Sequence, residues 1–198
     1  MSFQFHFEPA TDARETRTLL LLHGTGGTEH DLVQIGRDLL PGAAILSPKG
    51  KVSENGMSRW FRRFSEGVFD EGDMRGQADD LAEFLSDKGG NFVALGYSNG
   101  ANMGAALMTF HPEILTALVM WRGMKILAEP VQSNLIGKEI LMLNGVLDHM
   151  GPIESAREQA VIFRHNGADV TTHELDTGHG LTQADFELTQ SWLRVPKS

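Results

Sequence analysis

A hydroxyl, an imidazole and a carboxylate can together break an acyl bond. This chain carries a candidate for each in Ser98, His179 and Asp148. A serine hydroxyl is a poor nucleophile at neutral pH until a base takes its proton, and an imidazole serves as that base when a carboxylate fixes its tautomer and orientation. Ser98 lies in Gly96-Tyr97-Ser98-Asn99-Gly100. That spacing is expected of a strained strand-to-helix turn that holds the serine hydroxyl clear of the backbone. The strand and helix then pass so closely that the positions two before and two after cannot carry side chains. The pattern also arises by chance, so its weight depends on its partners.

The elements around it have the right periods. Residues 91–95 are an apolar run, and Met103, Ala106, Leu107 and Phe110 mark one face of a helix, so the motif reads strand, turn, helix. Residues 18–22 form an earlier buried strand that delivers the chain to His23-Gly24-Thr25-Gly26-Gly27. A phosphate cradle would need a Lys-Ser/Thr ending or a third glycine at position 29, where Glu29 stands. The loop is better suited to aiming the Thr25 N–H at an oxyanion, with the Asn99 N–H as second donor and His23 organising the loop. Further strands are expected at residues 43–47, 117–121, 140–144 and 170–175, and helices after Asp31, around Met74 to Leu85, after Pro152 and after Thr182. Such alternation implies a mainly parallel, doubly wound sheet flanked by helices, with its chemistry at the carboxyl ends of the strands.

Asp148 and His179 fall on two of those ends, in Gly145-Val146-Leu147-Asp148 and Asp176-Thr177-Gly178-His179-Gly180. Glu174 and Asp176 are nearer to His179 in sequence. Glu174 belongs to a strand, however, and Asp176 has little room to turn back, whereas Asp148 can approach from the neighbouring strand. Thr182-x-x-Asp185 reads as the cap of the last helix. Phe3, Phe5 and Phe7 alternate with polar residues, as in an edge strand burying one face. Residues 48–72 are the least regular stretch, and their Trp60, Phe61 and Phe64 are expected to wall a substrate pocket.

Composition limits the partners. A chain of 198 residues, 41% hydrophobic and with no linker-like stretch, is expected to form one domain. A net charge of -9 argues against a nucleic-acid or anionic-membrane partner and favours small molecules. There is no cysteine, hence no thiol nucleophile. No signal peptide or spanning segment is read, so the expected location is cytoplasmic. The oligomeric state is left open, a homodimer included.

Taken together, the motifs from residues 20–27 through 96–100 and Gly145-x-x-Asp148-x-x-x-Pro152 to Gly178-His179 resemble the phospholipase/carboxylesterase group of small bacterial α/β hydrolases. This group is similar to acyl-protein thioesterases and, more distantly, to dienelactone hydrolase. The resemblance covers almost the whole chain, and the order Ser, Asp, His agrees with the α/β-hydrolase arrangement. It implies a carboxylesterase-type serine hydrolase with Ser98, Asp148 and His179 as triad, acting on small esters without metal or organic cofactor. A thioesterase, a lactone hydrolase or a non-catalytic ligand-binding protein of the same fold are the alternatives. Two departures stand out. Met150-Gly151 replaces branched apolar residues before Pro152, and Asn99 replaces a common Gln, which should matter little if only its N–H is used. Only 18 residues separate the strands ending at Trp121 and beginning at Ile140, too few for a large lid, so short to medium acyl chains are expected.

Overall fold

Leu19, Leu20, Leu21 and Leu22 are all fully buried, which requires a strand covered on both faces. Leu20 and Leu22 join the apolar cluster on one side of the sheet, and Leu19 and Leu21 the cluster on the other. Each buried leucine contributes roughly 1.5–3 kcal/mol. The computed structural model describes residues 3–194. In chain order the elements are β1 (Phe5–Glu8), β2 (Arg17–Leu22), α1 (Val33–Leu39), β3 (Ala44–Pro48), β4 (Val52–Glu54), β5 (Met57–Arg59), β6 (Arg63–Ser65) and β7 (Val68–Phe69). They continue with α2 (Glu71–Lys88), β8 (Asn91–Tyr97), α3 (Asn99–Phe110), β9 (Leu115–Trp121), β10 (Glu139–Gly145), α4 (Ile153–His165), β11 (Asp169–Leu175) and α5 (Gln183–Arg194).

Seven strands form the main sheet in the order β1-β3-β2-β8-β9-β10-β11, all parallel except β1, which pairs antiparallel with β3. This is the doubly wound sheet of the α/β-hydrolase fold. The order reverses between β3 and β8, so β2 and β8 lie side by side at its centre, and their carboxyl ends bring the loop at 23–27 beside Ser98. Residues from α2, α3 and α4 cover one face, and residues from α1 and α5 the other. Among the described residues no helix is long and apolar enough to cross a membrane.

Two readings of the sequence change. β1 is the edge strand expected of it, and Phe3 just before it is buried in the core as expected, but within the strand His6 and Glu8 are the half-buried side chains and Phe5 and Phe7 are exposed. Glu8 pairs with Arg37 and His6, and the Arg37 hydrogen bond above all pulls its carboxyl down to about 2. Phe5 instead stacks on Phe84 and under the Lys88 ammonium. Residues 48–72 are not irregular throughout: they fold into two short hairpins, β4–β5 and β6–β7, with type-demanding turns at Asn55-Gly56 and Gly67. Between β9 and β10 no flap rises from the surface, and Ile126, Leu127 and Leu135 are buried against the core.

The close approach of β8 and α3 depends on glycine. A Cβ on Gly96 would overlap the Gly100 carbonyl, and one on Gly100 would overlap the Leu22 carbonyl. Neither neighbour is a flexible side-chain end, so the strain cannot relax locally. We therefore expect Gly100→Ala to destabilise the protein by at least about 2 kcal/mol in urea denaturation. Gly76, exposed in α2 with open space where a Cβ would go, is the control. Gly76→Ala should stabilise by about 0.5–1 kcal/mol.

Candidate active site

Ser98 sits at φ 53° and ψ -115°, a backbone conformation that L-residues rarely adopt. Its N–H is tied to the Trp121 carbonyl at 2.8 Å, and its own carbonyl accepts from Asn102 N–H. It precedes α3 in the position where serine usually caps a helix, yet its hydroxyl makes no capping bond. The hydroxyl is turned to His179 instead: Oγ lies 3.0 Å from Nε2.

On the other side of the ring, His179 Nδ1 lies 2.7 Å from Asp148 Oδ2. Asp148 is buried, and its Oδ1 accepts from the N–H groups of Met150 and Gly151 at 2.8 and 3.0 Å. With Asp148 accepting, the tautomer that satisfies both contacts carries its hydrogen on Nδ1 and leaves Nε2 to accept the hydrogen bond of the Ser98 hydroxyl. Both donors are backbone N–H groups, which any residue but proline would supply at positions 150 and 151, so the Met150-Gly151 departure leaves this anchor unchanged. The alternatives lie elsewhere: Glu174 forms a two-pronged pair with Arg157, and Asp176 is exposed. Among the other histidines, His111 bonds Asp79.

The loop that carries His179 is held by a device that sequence reading missed. Arg122 follows β9, is buried to 1% exposure, and takes φ 57°. Its guanidinium donates to the carbonyls of Gly178 (3.1 Å), Gly180 (2.8 Å) and Leu143 (3.1 Å), and to both carboxylate oxygens of fully buried Asp185 at 2.7 and 2.8 Å. Tyr97 Oη donates to the carbonyl of His179 itself, and Leu147 N–H to that of Thr177. Four consecutive carbonyls, 177 to 180, are therefore pinned. Asp185 also accepts from the Thr182 N–H and hydroxyl, so the expected cap is real but is half of its role. Nothing in local periodicity marks Arg122, because its partners are 21 to 63 residues away.

The glycine-rich loop is organised by His23, as its place in the chain suggested. It is buried, its Nδ1 lies 2.7 Å from the Gly24 carbonyl, and its Nε2 accepts from Gly50 N–H at 3.0 Å. Burial holds its pKa below the ordinary value. Thr25 lies in a turn closed by Gly27 N–H to the Gly24 carbonyl, and among the described residues its own N–H donates to no protein group. Asn99 opens α3, where first-turn N–H groups have no carbonyl behind them. Its side chain matters more than expected, since Oδ1 accepts from Trp60 N–H at 2.8 Å and ties the hairpin segment to the elbow.

A cavity of about 310 Å³ opens over Ser98 and His179. The expected aromatic wall is a correction. Trp60 and Phe61 are buried in the core, Trp60 with Nε1 on the His23 carbonyl, and Phe64 is 75% exposed; none of the three lines the cavity. Aromatic residues in an irregular stretch satisfy burial as readily as they bind ligands. The walls include Met57, Arg59, Arg63, Glu66 and Phe69 from the hairpins, and Met124 and Met150 from the loops after β9 and β10.

A central parallel sheet with a serine elbow, a Gly-rich loop beside it and an acid and histidine on later strand ends defines an α/β hydrolase. No family model matches the sequence. The chain is 36% identical over 183 residues to MhqD of Bacillus subtilis (strain 168), a candidate hydrolase, covering 89% of this chain and 92% of that one. Among solved structures it superposes on a Bacillus cereus carboxylesterase with TM-score 0.92 at 36% identity, covering 96% and 92% of the two chains. YahD, solved with malic acid, gives TM-score 0.86 at 25% identity over 97% and 98%. The chain belongs to the phospholipase/carboxylesterase group of α/β hydrolases.

Two outcomes follow for stability. Removing one partner of a buried ion pair leaves the other charge uncompensated, so Asp185→Asn should cost about 3–5 kcal/mol by urea denaturation. His23 binds fewer protons folded than unfolded in the window just below its ordinary 6.5. Its contribution to stability is therefore present above that value and lost as pH falls through the window. Comparing urea midpoints at about pH 7.5 and about pH 5.5 should show a smaller pH dependence in His23→Gln than in the wild type.

Proposed function

We propose that this protein is a serine hydrolase that cleaves carboxylic esters of small soluble substrates through an acyl-enzyme on Ser98. The observation that carries the reading is the single hydrogen-bonded line from Ser98 Oγ through the His179 ring to Asp148, at 3.0 and 2.7 Å. The kinship with a carboxylesterase supports ester cleavage as the reaction class. The malic acid held by YahD supports a substrate of similar size, in keeping with a cavity at the small end of ligand sites.

Each step uses a group already in place. His179 Nε2 takes the Ser98 proton as Oγ attacks the ester carbonyl, and Asp148 stabilises the imidazolium that forms. The Thr25 and Asn99 N–H groups receive the oxyanion, at about 3–4 kcal/mol of barrier per donor in comparable sites. His179 then passes its proton to the departing alkoxide. Water, deprotonated by the same nitrogen, releases the acid from Ser98.

The test combines labelling and turnover. A fluorophosphonate should label the wild-type chain on Ser98 and fail to label Ser98→Ala, whose thermal midpoint should stay close to the wild type. Asp148→Asn should lower kcat by roughly 10³ to 10⁴-fold, with a much smaller loss in Asp176→Asn. With Met57, Phe69, Met124 and Met150 as the apolar lining, kcat/KM should peak at short to medium acyl chains and show no jump at the substrate's solubility limit. Ester turnover retained by pure Ser98→Ala protein would sink the assignment.

A further inference from the structure

The cavity carries charge that acyl transfer does not use. Arg59 and Arg63 both line it, in a chain whose overall charge is -9. Arg59 is 3% exposed. Its Nη1 donates to Thr25 Oγ1 at 3.1 Å and its Nε to the Phe61 carbonyl at 3.3 Å. Its Nη2 donates to no protein acceptor among the described residues, and the residue lines the cavity. Arg63 spends Nε on Glu54 and Nη1 on Glu66, again leaving Nη2 without a bonded acceptor.

The carboxylates nearby do not match this charge well. Glu54 is shared by both guanidiniums, at 3.3 Å from Arg59 and 3.2 Å from Arg63. Glu66, the second carboxylate, is 60% exposed, and an exposed ion pair of this kind is weak and readily exchanged. Glu66 lines the cavity with the two arginines and Glu54 does not, so the carboxylate at the cavity wall is the exposed, exchangeable one. Arg63, against its own burial, is held up by Glu54 and Glu66, whereas burial and the neighbouring Arg63 both push the Arg59 pKa down. An incoming anion would relieve both effects. The acidic exterior gives no long-range steering toward this spot, so recognition acts at contact, inside a Debye length of about 10 Å.

Resting on the esterase reading above, we propose that Arg59 and Arg63 form an anion-recognising subsite beside Ser98, and that the preferred esters carry a carboxylate within a few bonds of the scissile carbonyl. Thr25 links the two functions. Its N–H faces the oxyanion and its hydroxyl holds Arg59, so the guanidinium stands about one side chain from the reacting oxygen. The hairpins that supply both arginines therefore act as a selectivity element, in a cavity whose apolar lining comes from Met57, Phe69, Met124 and Met150.

The test is a ratio, which a general loss of activity does not move. Monomethyl succinate, glutarate and adipate are compared with methyl butanoate, pentanoate and hexanoate, and O-acetylglycolate with ethyl acetate. Each kcat/KM is divided by the hydroxide-catalysed rate of the same ester. The wild type should favour the anionic member of at least one set by about tenfold or more. Arg63→Gln, on a half-buried residue that tolerates change, should cut the ratio several-fold, Arg59→Gln likewise, and about 0.5 M salt should reduce it in the wild type. Titration of glutarate by calorimetry needs no turnover, and should show saturable binding that Arg63→Gln weakens. A ratio at or below one in both sets, or a ratio and an affinity unchanged by both substitutions, overturns the subsite. Ser98 failing to label while glutarate still binds through the arginines would instead overturn the esterase reading and leave the subsite standing.

Discussion

The contact between β8 and α3 across Gly96 and Gly100 decides where every other functional group must stand. With no Cβ at either position, the helix comes so near β2 that Gly100 rests on the Leu22 carbonyl. Ser98 is then caught between a strand that ends and a helix that begins, at a positive φ. Strain of this kind costs of order 1–3 kcal/mol and persists only where its surroundings over-determine it. Here they do. The Ser98 N–H is bound across to β9, the turn is roofed by the 23–27 loop, and Asn99 is latched to Trp60. Thr25, Ser98 and Asn99 thereby line one cavity.

A second constraint acts from the other side. The hydrogen bond from the Ser98 hydroxyl to His179 holds only if the ring cannot drift, and the seven residues between β11 and α5 form no regular element of their own. Gly145 lets the end of β10 pass directly under the Thr177 and Gly178 carbonyls. Arg122 then clamps those at 178 and 180, and Tyr97 the one between. Burying a guanidinium and a carboxylate carries a desolvation cost that the pair offsets only when every remaining donor and acceptor is satisfied. Arg122 meets that condition, with each of its nitrogens engaged. The positive φ of Arg122 is explained the same way, since the chain must turn sharply after β9 to drive this side chain back under the histidine loop.

Much of this was legible in the sequence, for definable reasons. Two-sided burial makes central parallel strands read as apolar runs, so β2, β8, β9 and β10 announce themselves, and strand ends are where the doubly wound topology collects its chemistry. Asp148 and His179 were found through that rule, not through any feature of their own surroundings. What escaped reading is long-range or competes with burial. Arg122 looks like a loop cation until Asp185 and the 178–180 carbonyls are brought to it. Trp60 and Phe61 satisfy the pattern of a pocket wall, but the gain from burying a large ring in the core is equally available, and it prevails. Phe5 and Phe7 mislead similarly, because an edge strand can cover its inward face with His6 and Glu8 once Arg37 neutralises the carboxylate.

Rigidity is unevenly distributed around the cavity, and the distribution follows the division of labour. The elbow, the histidine loop and the His23 turn are tied by buried bonds to the main sheet. The β6–β7 hairpin is tied differently: its side-chain pairs, Arg62 to Asp70 and Arg63 to Glu54 and Glu66, lie largely at the surface, while the Phe61 and Phe69 rings pack edge to face beneath it and backbone bonds at Arg62 close its base. Exposed ion pairs of this kind contribute about 0–1 kcal/mol each and weaken in salt. The tip of the hairpin, Phe64 and Val68, is open to solvent. Side chains that must hold a reacting geometry within fractions of an ångström therefore come from the most strongly held parts of the chain. Under the proposed subsite, Arg63 belongs to the weakly held β6–β7 hairpin while Arg59 is buried and bonded to Thr25, so a change at Arg63 is the one that leaves the line from Ser98 to Asp148 undisturbed.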